Sequence, residues 1–196
     1  MIDAEAILAL HQEAFADKFY AAFGKKGIAK GSKALLLLWQ SQGEQALRGM
    51  FVAEWQQQII GTTTLRTWEM NNETTFLGDT RLALQQILGF WGTIRAILAL
   101  SLLNHQVKRS EGFITDVAVL APFRRSGLAT TLLAFAAQEA ILLQKSYLGL
   151  YVSSSNTGAY ALYRHLGFYK RRTRRSWLTQ LFLEQREWAY MCKDLS

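Results

Sequence analysis

The chain of 196 residues contains one cysteine, one proline and three scattered histidines. A single cysteine, Cys192, cannot form a disulfide within the chain, and it excludes a cysteine-rich zinc site. The wide spacing of the histidines gives no metal-ligand pattern, so we expect no bound metal. One proline excludes collagen-like and proline-rich classes. Without a low-complexity linker or an internal repeat, this length predicts a single domain over residues 1–196.

Charged residues are also sparse, at 19% of the chain, whereas hydrophobic residues make up 50%. A chain this apolar can bury enough surface to offset its ordering entropy, which excludes wholesale disorder. Basic residues outnumber acidic ones by 22 to 15, which indicates an anionic partner: nucleic acid, a membrane surface or a phosphorylated small molecule. The N-terminus lacks the basic and apolar segments of a signal peptide, so we expect a cytoplasmic location.

The first third of the chain changes from helical to strand-like patterns. Apolar spacing predicts a helix over 3–23, a loop over 24–31 and a short helix over 33–41. A strand ahead of the first helix is either absent or very short. The segments 48–55 and 59–68 are rich in β-branched and aromatic residues. They predict two antiparallel strands joined by a short glutamine-rich turn.

Residues 80–103 form an unusually apolar insertion. As a helix, residues 82–103 would span about 33 Å, which is enough to cross a bilayer, but Arg95 near the middle would be costly in lipid. Gly89 and Gly92 are positions at which the helix can break. We favour a helix buried against the domain. A lid over the substrate site, a homodimer face and a membrane-surface helix remain open alternatives.

The second half of the chain alternates between strands and helices. The predicted order is strand, helix, strand, helix, strand, strand, at 112–120, 127–144, 146–153, 157–166, 168–177 and 186–194. A strand, a crossover helix and a second strand imply one parallel pair.

The segment from Val117 to Thr130 predicts an anion-binding turn between a strand and a helix. The N–H groups of a first helical turn lack internal acceptors, and the helix dipole adds partial positive charge. Gly127 allows a phosphate close to the backbone, while Arg124 and Arg125 add full charges. A pyrophosphate is therefore the expected guest, although the spacing matches neither the Walker nor the dinucleotide fingerprint.

A second motif consists of Asn156, Ala159, Tyr163, Gly167 and Phe168. It resembles the Asn-x-x-Ala-x-x-x-Tyr-x-x-x-Gly-Phe region of the GNAT (Gcn5-related) N-acetyltransferase superfamily. Arg124, Gly127 and Ala129 resemble the acetyl-CoA signature of the same family, Arg/Gln-x-x-Gly-x-Gly/Ala. The clear resemblance covers residues 111–169, and the hairpin at 48–68 fits the family more loosely.

The resemblance implies an α/β fold with a mixed, mostly antiparallel twisted sheet flanked by helices and a splayed parallel strand pair. It implies acetyl-CoA as co-substrate, with the pantetheine arm on the backbone of Val117, Ala118 and Val119 and close to Asn156. It implies a cofactor-binding turn made of Arg124, Arg125, Ser126, Gly127, Leu128, Ala129 and Thr130, with the pyrophosphate on the amides from Arg125 onward.

The resemblance also implies catalytic roles. Tyr163 matches the tyrosine that often protonates the leaving thiolate, and a buried structural tyrosine is the alternative. The candidate bases are Asp116, whose alternative is a structural bond to a loop, and Glu111, whose alternative is a solvated strand end. Family members often carry a Glu or His on the inner face of this strand, where this chain has Phe113 and Thr115.

Strict alternation along that strand assigns its side chains to two faces. It places Glu111, Phe113, Thr115 and Val117 on one face and Ile114, Asp116 and Ala118 on the other.

The predicted function is acetyl-CoA-dependent N-acetylation of a primary amine, carried by a small molecule or a polypeptide. The alternatives are a non-catalytic acyl-CoA-binding module and a membrane-surface protein that uses helix 82–103. The basic run from Lys170 to Arg175 is read as a solvated edge strand or as a site for an anionic acceptor or the CoA 3′-phosphate. Without stacking aromatics in that run, no nucleic acid is expected.

Overall fold

The computed structural model describes residues 4–71, 76–101, 105–183 and 185–195. The described elements, in chain order, are α1 (Ala4–Ala14), α2 (Ala16–Phe23), α3 (Ile28–Gln42), β1 (Met50–Trp55), β2 (Gln58–Arg66), α4 (Trp68–Asn71), α5 (Phe76–Ser101), β3 (Glu111–Val119), α6 (Leu128–Leu142), β4 (Tyr147–Ser153), α7 (Thr157–His165), β5 (Tyr169–Arg175), α8 (Trp177–Leu183) and β6 (Glu187–Asp194). They form two compact units, a helical unit within residues 1–48 and 73–104 and a sheet unit within 49–72 and 105–196.

The helical unit contains α1, α2, α3 and α5. The helix predicted over 3–23 is interrupted at Phe15, which separates α1 from α2. The loop predicted over 24–31 is wrong for residues 28–31, because α3 already begins at Ile28. Gly31 is buried within α3, where a Cβ would overlap the ring of Phe23. This glycine serves close packing between helices, which a loop prediction could not anticipate. The described residues ahead of Met50 contain no strand.

Helix α5 is broken where the sequence allowed a break. Gly89 has φ +70° and ψ 178°, so two helical segments meet there, whereas the chain remains helical through Gly92. Beyond the kink, Arg95 donates from Nε to the carbonyl of Ala21 (2.8 Å) and from Nη2 to that of Tyr20 (3.2 Å). A cation at the C-terminal end of α2 is electrostatically favourable. Predicted residues 102 and 103 lie outside the described chain.

No helix in the described ranges has both the length and the hydropathy that a membrane span needs.

The sheet unit is built on six strands in the order β1-β2-β3-β4-β6-β5. Only β3 and β4 run parallel, which confirms the predicted mixed and mostly antiparallel sheet. The β1–β2 hairpin turns at Gln56 and Gln57, whose φ values of +49° and +63° are those of a two-residue type I′ turn. The predicted final strands are present, but β5 ends at Arg175 and the short helix α8, which was not predicted, precedes β6.

Two apolar clusters cover the two faces of the sheet. Successive side chains along β4 and β6 point to opposite faces of the sheet, so they belong in turn to one cluster and then to the other. The α6-side cluster contains the buried residues Leu133, Ala136, Ala140, Leu148, Leu150, Val152, Tyr163, Ala189 and Met191. The tyrosine-side cluster contains Val107, Phe113, Tyr190 and Cys192, with Tyr147 and Tyr151 packed against it.

A β-bulge at Thr115 overturns the predicted alternation along β3. Asp116 pairs with Thr64 and Ile114 with Leu65, so Thr115 has no partner in β2. Phe113 lies in the tyrosine-side cluster and Ile114 in the α6-side cluster, as alternation requires, but Val117 also packs on the α6-side cluster. The extra residue reverses the parity of every position that follows it.

Candidate active site

Strands β3 and β4 diverge halfway along their length. They pair only from Glu111 to Ile114 on β3 and from Tyr147 to Leu150 on β4. Beyond those residues, β3 stays paired with β2 as far as Val119, and β4 stays paired with β6. The divergence begins at the bulge, which bends and twists one strand away from the other. The predicted splay is therefore present, and the backbone of β3 from Thr115 to Val119 borders it.

The turn after β3 is shaped to expose backbone N–H groups. Arg125 and Gly127 both adopt the left-handed conformation, with φ of +62° and +86°, and no side chain caps the helix that starts at Leu128. The N–H groups of the first turn therefore lack both intrahelical and side-chain acceptors. A non-glycine residue with positive φ is strained, and such strain concentrates at binding sites.

Two side-chain hydrogen bonds fix the conformation of this turn, one to the end of β3 and one within the turn. Arg124 donates from Nε to the carbonyl of Val119 at 3.0 Å, and Ser126 donates from Oγ to the carbonyl of Phe123 at 2.7 Å. The guanidinium of Arg125 is exposed. The structure thus gathers the predicted cofactor residues, from Val117 to Thr130, along the end of β3 and the start of α6.

The second motif contributes Asn156 and Tyr163 through α7. Asn156 caps this helix, because its Oδ1 accepts from the N–H of Ala159 at 3.1 Å. Tyr163 is 8% exposed and packs against Phe168 in the α6-side cluster. Burial, with a smaller contribution from the charge of Asp116, raises the pKa of Tyr163 to about 12. The phenol is therefore protonated at neutral pH.

Asp116 follows the bulge residue and is bonded locally. Its Oδ1 accepts from the hydroxyl of Thr115 at 2.7 Å, and its carbonyl accepts from the hydroxyl of Thr63 at 2.8 Å.

Glu111 is fully buried, so the solvated strand end considered for it is wrong. His105 Nε2 lies 2.9 Å from both carboxylate oxygens, the Tyr190 hydroxyl donates to Oε1, and the N–H of Lys108 donates to Oε2 at 3.1 Å. Burial alone would raise the pKa of Glu111, but these hydrogen bonds outweigh it and hold the pKa below its usual range. Glu111 lies on the tyrosine side of the sheet, away from Tyr163.

His105 is a functional candidate that lies outside both sequence motifs, just before the predicted strand at 112–120. Its imidazole stacks on Phe113 with ring centroids 4.2 Å apart, and it also contacts the rings of Tyr151 (5.7 Å) and Tyr190 (5.3 Å). Its side chain is 7% exposed. An imidazole from the preceding segment thus covers Phe113, one of the two inner-face positions of this strand that hold no acidic or basic group. Its sequence signal was its place just before the predicted strand, which allows a role at the mouth of the substrate site.

Two arginines of the basic run on β5 have different kinds of partner, a carboxylate for Arg175 and tyrosine side chains for Arg172. Arg175 pairs with Glu187 at 2.8 Å. Arg172 instead donates to the hydroxyl of Tyr151 at 2.9 Å and lies 4.9 Å over the ring of Tyr190. Within the ranges described, no three His, Cys, Asp or Glu side chains are grouped as metal ligands.

Comparison with known proteins identifies one matching family and several solved acetyltransferase structures with a similar fold. The model of the acetyltransferase (GNAT) family matches residues 8–168. The crystal structure of an acetyltransferase is similar with a TM-score of 0.65 and 18% identity, over 98% of this chain and 94% of that chain. The ribosomal-protein-S18-alanine N-acetyltransferase from Escherichia coli gives a TM-score of 0.56 and 19% identity, over 97% and 86% of the two chains.

A third structure is a GNAT family acetyltransferase from Elizabethkingia anophelis with acetyl-CoA bound. It gives a TM-score of 0.51 and 16% identity, over 74% of this chain and 75% of that chain. At sequence identities of 16–19%, the similarity to these three structures shows a shared fold and nothing more. Among curated proteins there is no significant match.

Proposed function

Because the chain belongs to the GNAT acetyltransferase family, we propose that it transfers an acetyl group from acetyl-CoA to a primary amine by direct attack. The observation that carries this proposal is the divergence of β3 from β4 beside an uncapped helix start. The family match runs through residues of both compact units, which supports treating residues 1–196 as one acetyltransferase domain. One similar structure is a ribosomal-protein alanine N-acetyltransferase, which supports an amine acceptor on a polypeptide. A small-molecule amine is the other acceptor class.

The residues around the splay fit acetyl-CoA, which would supply the thioester carbonyl. Val117, Ala118 and Val119 would bind the pantetheine arm through their backbone on the open edge of β3. Asn156, already held as the cap of α7, would lie near the same arm. The turn residues Arg124, Arg125, Ser126, Gly127, Leu128, Ala129 and Thr130 would hold the pyrophosphate through N–H groups and two guanidinium charges.

Tyr163 is the proposed general acid. Its raised pKa keeps the proton available for the departing sulfur at neutral pH. Asp116 supports this state, because a nearby negative charge disfavours the phenolate. Asp116 is therefore assigned to the environment of the acid rather than to the base. N–H groups around Val117 would stabilise the negative charge that develops on the carbonyl oxygen.

His105 is the proposed general base, and Glu111 is its positioning residue. A carboxylate with a lowered pKa and several donors is a poor proton acceptor, whereas an imidazole held by such a carboxylate accepts a proton well. In the part of the chain that the structure describes, Nδ1 of His105 has no hydrogen-bond partner. That nitrogen can take the proton from the amine while Glu111 stabilises the imidazolium.

Calorimetric titration with acetyl-CoA tests the proposal, followed by measurement of thiol release with a panel of amines. We expect saturable binding in the micromolar range and amine-dependent release of CoA. Gly127→Glu should weaken acetyl-CoA binding at least about tenfold, because it places bulk and negative charge at the helix start. Gly43→Glu is the control, since Gly43 has a similar φ of +58° and equally open surroundings.

The outcomes of this experiment separate the candidate functions. Absence of binding by the wild-type protein would refute the acetyltransferase proposal. Binding without release of CoA with any amine would favour the non-catalytic acyl-CoA-binding module. Equal binding by wild type and Gly127→Glu would refute the assignment of the turn.

A second candidate function, contact with a membrane surface, is supported by an exposed aromatic pair after the kink in α5. Phe90 and Trp91 are 52% and 79% exposed, and their rings lie 5.3 Å apart. Exposed Trp and Phe side chains on a helix are typical of interfacial binding. Flotation with anionic vesicles should recover the wild-type protein and lose Trp91→Ser. Equal recovery of the two, or no recovery of either, would contradict this function.

A further inference from the structure

We propose that the acceptor amine carries a carboxylate or phosphate group, and that Arg172 binds this anion next to the reacting centre. The inference rests on the proposed acetyl transfer and names the class of acceptor. Three observations support it: the fixed orientation of the Arg172 guanidinium, the lack of a carboxylate partner for it among the described residues, and its short distance to His105.

Arg172 is held in place on an aromatic platform at the mouth of the splay. Tyr151, Tyr190 and Arg172 are register partners on the adjacent strands β4, β6 and β5, and so form one row across the sheet. Tyr151 is the first residue of β4 beyond its pairing with β3. The guanidinium bonds to the Tyr151 hydroxyl and lies over the Tyr190 ring, which fixes its orientation before any ligand arrives. A preorganised guanidinium loses less conformational entropy when it binds an anion.

The charge of Arg172 has no carboxylate partner among the described residues. On the same strand, Arg175 is paired with Glu187. The nearby carboxylate of Glu111 is buried behind Tyr190 and occupied by its own donors. Arg172 is exposed, so a ligand can reach the free N–H groups of its planar fork. That fork matches a carboxylate or a phosphate through two parallel hydrogen bonds.

The distance from Arg172 to the proposed base limits the size of the acceptor. The imidazole of His105 and the guanidinium carbon of Arg172 lie 5.3 and 4.9 Å from the centroid of the same Tyr190 ring, so they are at most about 10 Å apart. An amine at His105 and an anion at Arg172 must therefore be close in the molecule. The acceptor class is an amino acid-like amine, an aminoalkyl phosphate, or a polypeptide N-terminus followed by an acidic residue.

Matched acceptor pairs test this inference. The pairs are β-alanine with β-alaninamide, O-phosphoethanolamine with ethanolamine, and two peptides that begin Ala-Glu or Ala-Gln. We expect at least one anionic member to exceed its neutral partner in kcat/KM by about 10- to 100-fold, the range of a charge-assisted hydrogen bond. The pair that shows the preference identifies a carboxylate, a phosphate or a peptide side chain as the source of the anion.

Arg172→Gln should abolish that preference by raising the KM for the anionic amine, with the KM for acetyl-CoA unchanged. Arg175→Gln removes the same charge from the same strand and should retain the preference. Loss of the preference in both variants, or absence of it in the wild-type protein, would overturn the inference. A rise in the KM for acetyl-CoA alone would assign Arg172 to the CoA 3′-phosphate and would also overturn it.

A binding measurement keeps this inference separate from the proposed function. Calorimetric titration of the CoA-saturated protein with O-phosphoethanolamine and with β-alanine requires no turnover. Binding by the wild-type protein that Arg172→Gln loses would support the anion site even if no acetyl transfer were detected. Acetyl transfer to amines without any preference for anions would leave the proposed function intact and refute the site.

Discussion

At the residue scale, the two proposed proton-transfer groups lie in contrasting environments. Tyr163 is packed among apolar side chains and lies near one carboxylate, which keeps its phenol protonated. His105 is bonded to a carboxylate and stacked on an aromatic ring, which suits it to accept a proton. A protonated phenol and an imidazole whose second nitrogen is bonded to a carboxylate are groups that acid–base catalysis commonly uses.

We expect Tyr163→Phe to lower kcat about 100-fold with little change in the affinity for acetyl-CoA, because the substitution removes only the donated proton. Because the pKa of Tyr163 is about 12, the wild-type rate should show no loss from ionisation of this phenol up to about pH 10. Steady-state kinetics between pH 7 and 10 measure both effects. Wild-type turnover by the variant would contradict the role of the acid.

His105→Gln should lower kcat/KM for the amine by about 100-fold or more, since no described side chain replaces the lost imidazole nitrogen. The control is His165→Gln, because His165 is exposed at the end of α7 and should leave the kinetics unchanged. Thermal unfolding of both proteins verifies that they are folded. A folded His105→Gln protein with normal kcat/KM would show that another group takes the proton.

At the element scale, strand β4 makes room for the buried carboxylate. Gly149 pairs with Phe113 on β3 and with Cys192 on β6, in the middle of the sheet. A Cβ at this position would overlap Oε1 of Glu111 and the hydroxyl of Tyr190. A glycine in a strand often marks such a close approach. The absent side chain thus allows the hydrogen bond between Tyr190 and Glu111.

Gly149→Ala should therefore lower the free energy of unfolding by about 2 kcal/mol, the range of overpacking in a core. Gly158→Ala is the matched control, because a Cβ at Gly158 meets no atom within 4 Å and the residue lies in a helix. That control should be neutral or slightly stabilising. Urea unfolding of both variants measures the difference, and equal stability of the two would refute the packing argument.

At the scale of the whole molecule, two carboxylates make the free energy of unfolding depend on pH in the acidic range. The ammonium of Lys145, itself buried, lies 2.8 Å from Glu69 and lowers the pKa of that carboxyl to about 2. The pKa of Glu111 is also held below its usual range. For a carboxyl with a lowered folded-state pKa, the stabilisation is complete above the unfolded-state pKa and is lost as the pH falls through the folded-state pKa.

The free energy of unfolding of the wild-type protein should therefore be constant near neutral pH and fall between about pH 4.5 and 2. Glu111→Gln should cost about 2 kcal/mol at pH 7, because the Tyr190 and His105 donors lose a charged acceptor. That difference should shrink as the pH falls, since the wild-type carboxylate is then protonated as well. Urea unfolding at pH 7 and pH 3 gives both values. A difference independent of pH would show that the ionised carboxylate contributes nothing.

The sequence by itself determined the order of the six strands and of most helices, the parallel pair and the two motifs that resemble the family. These depend on local patterns, namely alternation in strands, helical periodicity and glycines at the ends of helices. The kink at Gly89 and the left-handed turn at Gly127 belong to this class, because a glycine permits each conformation wherever it occurs. Tyr163 was proposed because it matches a tyrosine of the family motif, and its place in a helix follows from the same local pattern.

The tertiary structure alone decided what depends on residues distant in sequence. The bulge at Thr115 exists only in the register with β2, so alternation along β3 could not reveal the true face of Val117. The cost of burying Glu111 is offset by Tyr190, 79 residues later, which donates a hydrogen bond to it. Arg172 is oriented by two tyrosines on neighbouring strands, which no local pattern contains. Periodicity reports only which side of its own strand or helix a residue occupies, whereas partners across the sheet are set by how the whole chain folds.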